Sequence, residues 1–195
     1  KPDDSVPWRR IAAVALAIAL VASTGAYGAL ALGSHFEQRP AGGPTLDATA
    51  FVAADHPDQA AAIEWVDDRP GRPTLLEAPG TRSYRGGTDG RDRVMYSWAA
   101  NPASSLTGVP TVAGWQHEVG YRGQAAYDER VRDVDAMYTG NESVRESLLD
   151  RYDVRYIWVG PSERARYGSI SFGEGIEVVH RSGDVTIYAV ERSAA

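Results

Sequence analysis

From Ile11 to Leu32 the chain reads IAAVALAIALVASTGAYGALAL, 22 residues without a charge. Nothing else in the sequence limits the fold as strongly. At 1.5 Å per residue such a helix reaches roughly 33 Å, enough to cross a hydrocarbon core of ~30 Å. Gly25 and Gly28 suit a membrane helix, and Ala22, Gly25, Ala26 and Ala29 could form a close-packing face. A coding bias toward alanine accounts for the same stripe equally well. A secretory signal peptide is the rival reading, with Arg9 and Arg10 as its charged end and Ala29-Leu30-Ala31 as a cleavage site. The run is longer than the ~7–15 apolar residues of such a signal, which favours a retained span. Under either reading the arginines keep the N-terminus cytoplasmic.

The expected organisation is therefore a cytoplasmic segment 1–10, a transmembrane helix 11–32, a Pro/Gly-rich linker 33–46 and an extracytoplasmic domain 47–192, at the cell membrane. The first residue is Lys1 rather than a methionine, which is expected of a processed product or a piece of a longer protein.

Composition narrows what the outer part can do. Of the 20 basic residues only Lys1 is a lysine, and the net charge is −6. Setting aside Lys1, Arg9, Arg10, Asp3 and Asp4 leaves 17 arginines against 24 carboxylates beyond the apolar run. An acidic surface of this kind argues against a nucleic-acid partner. With no cysteine there is no disulfide, thiol nucleophile or thiolate metal site. The histidines stand at 35, 56, 117 and 180, without metal-ligand spacing, so neither a metal nor a cofactor is expected.

Alternation of helical and strand patterns predicts a compact mixed-sheet α/β domain behind the membrane helix. Pro57 starts a helix with Asp55 or His56 at its cap, and Arg69-Pro70-Gly71 ends it. Thr74–Glu77 reads as a short buried strand and Val154–Val159 as the clearest strand. Tyr127, Val131, Val134 and Tyr138 share one helical face; Val144, Leu148 and Tyr152 share another. Ile176–Val179 and Val185–Val190 flank a turn and predict a terminal hairpin. Asn141-Glu142-Ser143 is either a glycosylation sequon or a helix cap.

Two places are candidates for ligand binding. If the Thr74 and Val154 strands are parallel neighbours, Glu77, Ser83, Tyr84, Ser162 and Arg164 would border one cleft at their carboxyl ends. The alternative is that Glu77 caps a turn or pairs with an arginine. The second place is Trp115-Gln116-His117-Glu118 with Tyr121-Arg122, inside an irregular aromatic stretch. There His117 could act as a base or phosphate donor, Glu118 could orient it, and Arg122 could grip an anion. A loop pinned by Trp115 accounts for the run equally well. A metalloprotease His-Glu motif is excluded because position 121 is tyrosine. The residues alone yield no catalytic centre.

Several segments together resemble the C-terminal part of the YYY family (Chlor_Arch_YYY), polytopic membrane proteins grouped with the GT-C-type glycosyltransferase superfamily. They are LDATAFV, HPDQAAAIEWV, LLEAPGTRSY, NPASSLTGVPTVAGWQHEVGYRG, RVRDVDAMYTG, LLDRYDVRYIWVGPSERARYG and VTIYAV, spanning Leu46 to Val190. The runs Thr107 to Gly123 and Tyr156 to Arg164 are the longest and most specific. The resemblance implies an outward-facing accessory domain linked to sugar transfer from a polyprenyl-phosphate donor, on further membrane helices of a longer parent. GT-C enzymes carry their catalytic carboxylates in loops between early membrane helices, and one such helix is visible here. The chain by itself is therefore expected not to transfer sugar. The alternative is a non-enzymatic, membrane-tethered module binding a glycan or a protein. The lipid bilayer is a partner in both.

Overall fold

The computed structural model describes residues 6–37, 46–80, 84–85, 92–93 and 98–191. The chain divides into two units, Lys1–Ala50 and Phe51–Ala195. The first is dominated by helix α1, Val6–Glu37, which extends beyond the uncharged run at both ends. Its segment Pro7–Ser34 is long and apolar enough to cross a membrane, and a signal sequence near an N-terminus would look the same. Val21 and Tyr27 are among its widely exposed large apolar side chains. The hydroxyls of Ser23 and Thr24 both donate back to Leu20 O at 2.9 Å. That satisfies them within the helix, as an apolar surrounding requires.

The second unit is the expected mixed α/β domain. In chain order its elements are α2 (Ala50–Asp55), α3 (Pro57–Asp67), β1 (Thr74–Leu76), β2 (Tyr84–Arg85), β3 (Asp92–Arg93) and α4 (Pro102–Thr107). A 3-10 turn, Gln116–Glu118, leads into α5 (Val119–Arg122) and α6 (Gln124–Thr139). Then come α7 (Glu142–Arg151), β4 (Val154–Val159), α8 (Pro161–Tyr167), β5 (Ile176–Ser182) and β6 (Val185–Val190). The main sheet has the order β1-β4-β6-β5, and β2 and β3 form a separate two-stranded sheet. β1 and β4 are parallel neighbours with Leu76 opposite Ile157, and β5 and β6 form the terminal antiparallel hairpin.

Successive side chains of a strand point to opposite faces, and both faces of this sheet are covered. Leu75 and Trp158 join Ile63, Val66 and Ala103 on the side of α3 and α4. Leu76, Ile157 and Val159 join Val134, Met137 and Leu149 on the side of α6 and α7. Leu75, Leu76, Ile157 and Trp158 are at most 1% exposed, each adding roughly 1.5–3 kcal/mol of apolar burial. The outer edge of β1 is capped by an irregular strap. Leu75 N–H donates to Pro110 O at 2.9 Å, and bridges join Leu75 to Thr111 and Gly80 to Trp115. An edge covered in this way offers little to edge-to-edge pairing.

Two local expectations meet the structure differently. Asn141 caps α7, its Oδ1 accepting from Val144 N–H at 3.0 Å. The shared face of α7 needs correction at one position: Leu148 and Tyr152 pack against the core, but Val144 is 42% exposed, whereas Arg145 and Leu149 are buried. The cause is Arg145, whose Nε donates to Met137 O (2.8 Å) and Nη2 to Gly140 O (2.9 Å). A guanidinium satisfying the final carbonyls of α6 turns its own position inward and the preceding valine outward.

Candidate functional site

The carboxyl ends of β1 and β4 lie side by side, and the chain leaving each carries a glutamate. Both are fully buried. Glu77 follows β1 directly and accepts from Ala103 N–H (2.9 Å) and Ser104 N–H (3.2 Å), so it caps the first turn of α4. Glu163, three residues into α8, accepts from Gly160 N–H (2.9 Å) behind it and from Ala78 N–H (2.8 Å) beyond β1. Each carboxylate thus ties one strand end to a segment remote in sequence. Burial pushes the Glu77 carboxyl up to about 7. The Ser104 hydroxyl opposes this, the nearby Glu163 charge adds to it, and the amides of Ala103 and Ser104 oppose it further. Burial raises Glu163 too, against the pull of its own amide partners.

A second tier of bonds fixes the strap itself. Asn101, in the left-handed region at φ 57°, is 1% exposed, and its Nδ2 donates to Ala78 O (2.9 Å) and Ala113 O (3.2 Å). Trp115 Nε1 donates to Ala100 O at 2.8 Å. Tyr127 O–H reaches Gly114 O at 3.1 Å, and Arg130 Nη1 donates to Val112 O at 2.8 Å. Gly80 permits a close approach: a Cβ there would lie 2.9 Å from Trp115 Cδ1 and 3.3 Å from Ala100 Cβ.

The residues singled out in the sequence separate into three groups. Glu77 and Ser162 are inside; Ser162 Oγ donates to Ala99 O at 2.8 Å. Glu77 therefore offers no face to a cleft. Arg164 is exposed and donates to Asp184 O, at the β5–β6 turn rather than beside Glu77. Trp115, His117, Glu118 and Arg122 do come together, on the turn from the strap into α5. Trp115 and His117 have ring centroids 5.9 Å apart, and His117 and Tyr121 5.6 Å, both edge-on. Glu118 accepts from Gly114 N–H (2.8 Å) and from Arg122 Nε (2.8 Å), so its carboxylate anchors the strap and neutralises Arg122. Tyr84 lies on β2, and its side chain, like Ser83 and the stretches 86–91 and 94–97, lies outside the described residues.

Sequence reasoning missed Glu163 and Asn101. The first had a signal, a glutamate three residues beyond Gly160 at a helix start, the spacing at which a carboxylate reaches back to a free N–H. The second had a weaker one, an asparagine before Pro102.

No protein-family model matches the chain. No curated protein matches it either. Among solved structures, it is similar to the C-terminal globular domain of an oligosaccharyltransferase from Archaeoglobus fulgidus. The TM-score is 0.40 and the identity 11%, over 69% of this chain and 97% of that one.

Proposed function

We propose that the chain is a membrane-anchored, outward-facing accessory part of a GT-C-like glycosyltransferase, serving sugar transfer from a polyprenyl-phosphate donor without catalysing it. One observation carries this reading. The motif runs behind the YYY resemblance, far apart in sequence, are bonded to one another: Glu77 to Ala103 and Ser104, and Glu163 to Ala78. They form one braced platform that presents the Trp115–Arg122 turn. Both buried carboxylates are engaged by backbone amides, which makes them braces rather than acids or bases for a substrate. The helix α1 would span the bilayer with its N-terminus cytoplasmic, placing the platform outside among further membrane helices of a longer parent.

Reconstitution of the 195-residue chain in liposomes with a polyprenyl-phosphate-linked sugar tests the non-catalytic part; transfer by this chain alone would overturn it. In the parent transferase, His117→Ala or Arg122→Ala is expected to lower transfer while the domain melts as before. Unchanged transfer would leave both residues structural.

The exposed aromatic turn also favours a second reading, a membrane-tethered module that binds a glycan or protein and touches no transferase. Tyr121 is 77% exposed beside His117, an arrangement suited to contact. Cross-linking from position 121 in native membranes separates the two: capture of polytopic membrane protein favours the first, and capture of soluble glycan or protein the second.

A further inference from the structure

The chain has two asparagines, Asn101 and Asn141. Asn101 precedes a proline and is buried, whereas Asn141 is followed by Glu142 and Ser143, and all three of these residues are exposed. Asn-x-Ser, with x other than proline, is the acceptor pattern for N-linked sugar. Three residues alone recur by chance, so the geometry at the site decides.

The side-chain amide of Asn141 is already oriented. Its Oδ1 accepts from Val144 N–H at 3.0 Å and caps the first turn of α7. Only the oxygen of the amide can accept from an N–H, so Nδ2 is turned the other way. It has no hydrogen-bond partner among the described residues. The backbone leading to it is pinned: Gly140 N–H donates to Ala136 O (2.7 Å), and Gly140 O accepts from Arg145 Nη2 (2.9 Å). Asn141 itself is extended, at φ −69° and ψ 164°, ahead of the helix. Nδ2 therefore stands at a fixed, exposed corner, where an attached group meets solvent and not the core.

Helix cap and sugar acceptor are compatible because they use different atoms. A sugar bonded to Nδ2 replaces one amide hydrogen and leaves Oδ1 holding Val144 N–H. We propose that Asn141 is N-glycosylated, this chain being the acceptor of a sugar delivered by a separate membrane transferase from a lipid-linked phosphosugar. The new bond joins Nδ2 to the anomeric carbon of the sugar. The bond from that carbon to the donor's phosphate oxygen breaks, the phosphate leaves with the electron pair, and one Nδ2 proton passes to a base of the transferase. Glu142 and Ser143 are fixed in the first turn of α7 once the domain has folded, so transfer precedes the closing of that helix. The modification rests on the outward orientation proposed above and on no other part of that reading.

The test uses the full chain, isolated from membranes of the cells that encode it. Trypsin, cutting after Arg132 and Arg145, releases residues 133–145 as one peptide. Fragmentation mass spectrometry is expected to place a sugar on Asn141. Asn141→Asp keeps a capping oxygen but lacks the amide nitrogen, and Ser143→Ala keeps the cap but breaks the acceptor pattern. Both should lose the modified peptide entirely, while Ser143→Thr retains it. Where a variant folds poorly, the wild-type peptide decides. A bare wild-type peptide would overturn the proposal, and so would a sugar on Thr139 or Ser143 instead, or modification that survives Ser143→Ala. External protease on intact cells reads the orientation separately. A domain cleaved from outside with Asn141 bare defeats this proposal alone; a protected domain with Asn141 bare defeats the outward reading as well.

Discussion

Three glutamates of this domain sit within one bonded platform and do different work. Glu77 and Glu163 are fully buried and each holds two backbone amides, both remote in sequence for Glu77 and one of the two remote for Glu163. Glu118 stands at the surface turn, with one oxygen on Gly114 and the other on Arg122. In the interior a carboxylate is tolerated because it satisfies donors that would otherwise be orphaned, and removing it exposes their desolvation cost. At the surface the same group is screened and its salt bridge contributes little. The platform therefore depends strongly on its carboxylates where they are buried, and little on the ion pair that meets solvent.

The largest expected effect tests the buried half of this contrast. Glu163→Ala leaves Ala78 and Gly160 N–H without their acceptor and should destabilise the domain by roughly 3–5 kcal/mol, read by urea denaturation of the nanodisc-held chain. A loss below about 1 kcal/mol would show that the brace is dispensable.

Next comes the pH response. Glu77 has its carboxyl raised from an ordinary 4.5 to about 7, chiefly by burial. The folded chain then holds a proton there that the unfolded chain has released. Stability should accordingly be full below about pH 4.5 and fall as pH climbs through about 7, by roughly 3 kcal/mol at most. The Glu163 shift has the same sign. Denaturation midpoints measured from pH 4.5 to 8 check this, with Glu77→Gln flattening the curve. A wild-type midpoint that rises with pH across that range would contradict it.

A smaller effect lies on the boundary between the two halves. Gly80→Ala forces a Cβ to within 2.9 Å of Trp115 Cδ1 and should cost about 1–3 kcal/mol, with a change in the near-ultraviolet dichroism of the indole. The smallest belongs to the surface. Arg122→Ala removes a pair whose arginine is 48% exposed and should shift stability by no more than about 0.5 kcal/mol in thermal melts. A larger loss there would erase the distinction between brace and surface turn.

Much of the architecture was legible beforehand because it is written in local patterns. Pro57 opens α3, Asn141 caps α7 and the Val185 strand closes a hairpin, each decided by residues a few positions apart. The parallel β1–β4 pairing was anticipated only conditionally, and it proved to be the frame of the site. Val144 shows where periodicity alone misleads: an arginine one position on found two backbone carbonyls and took the inward place. The candidate ligand residues divided for a similar reason. Trp115, His117, Glu118 and Arg122 are near neighbours in sequence and stayed together, whereas Glu77, Ser162 and Arg164 depended on long-range geometry and went three separate ways.

The sequence by itself determined that an uncharged run long enough to cross a membrane as a helix precedes an acidic, cysteine-free α/β domain. Length, charge and hydrophobic period are properties of neighbouring residues, so they can be read without a fold. Only the tertiary structure decided that Glu77 and Glu163 are internal braces and that Asn101 ties the strap to the segment that follows β1. Whether a polar group is buried, and whether it finds a partner, depends on backbone amides and carbonyls that the chain delivers from as far as 85 residues away.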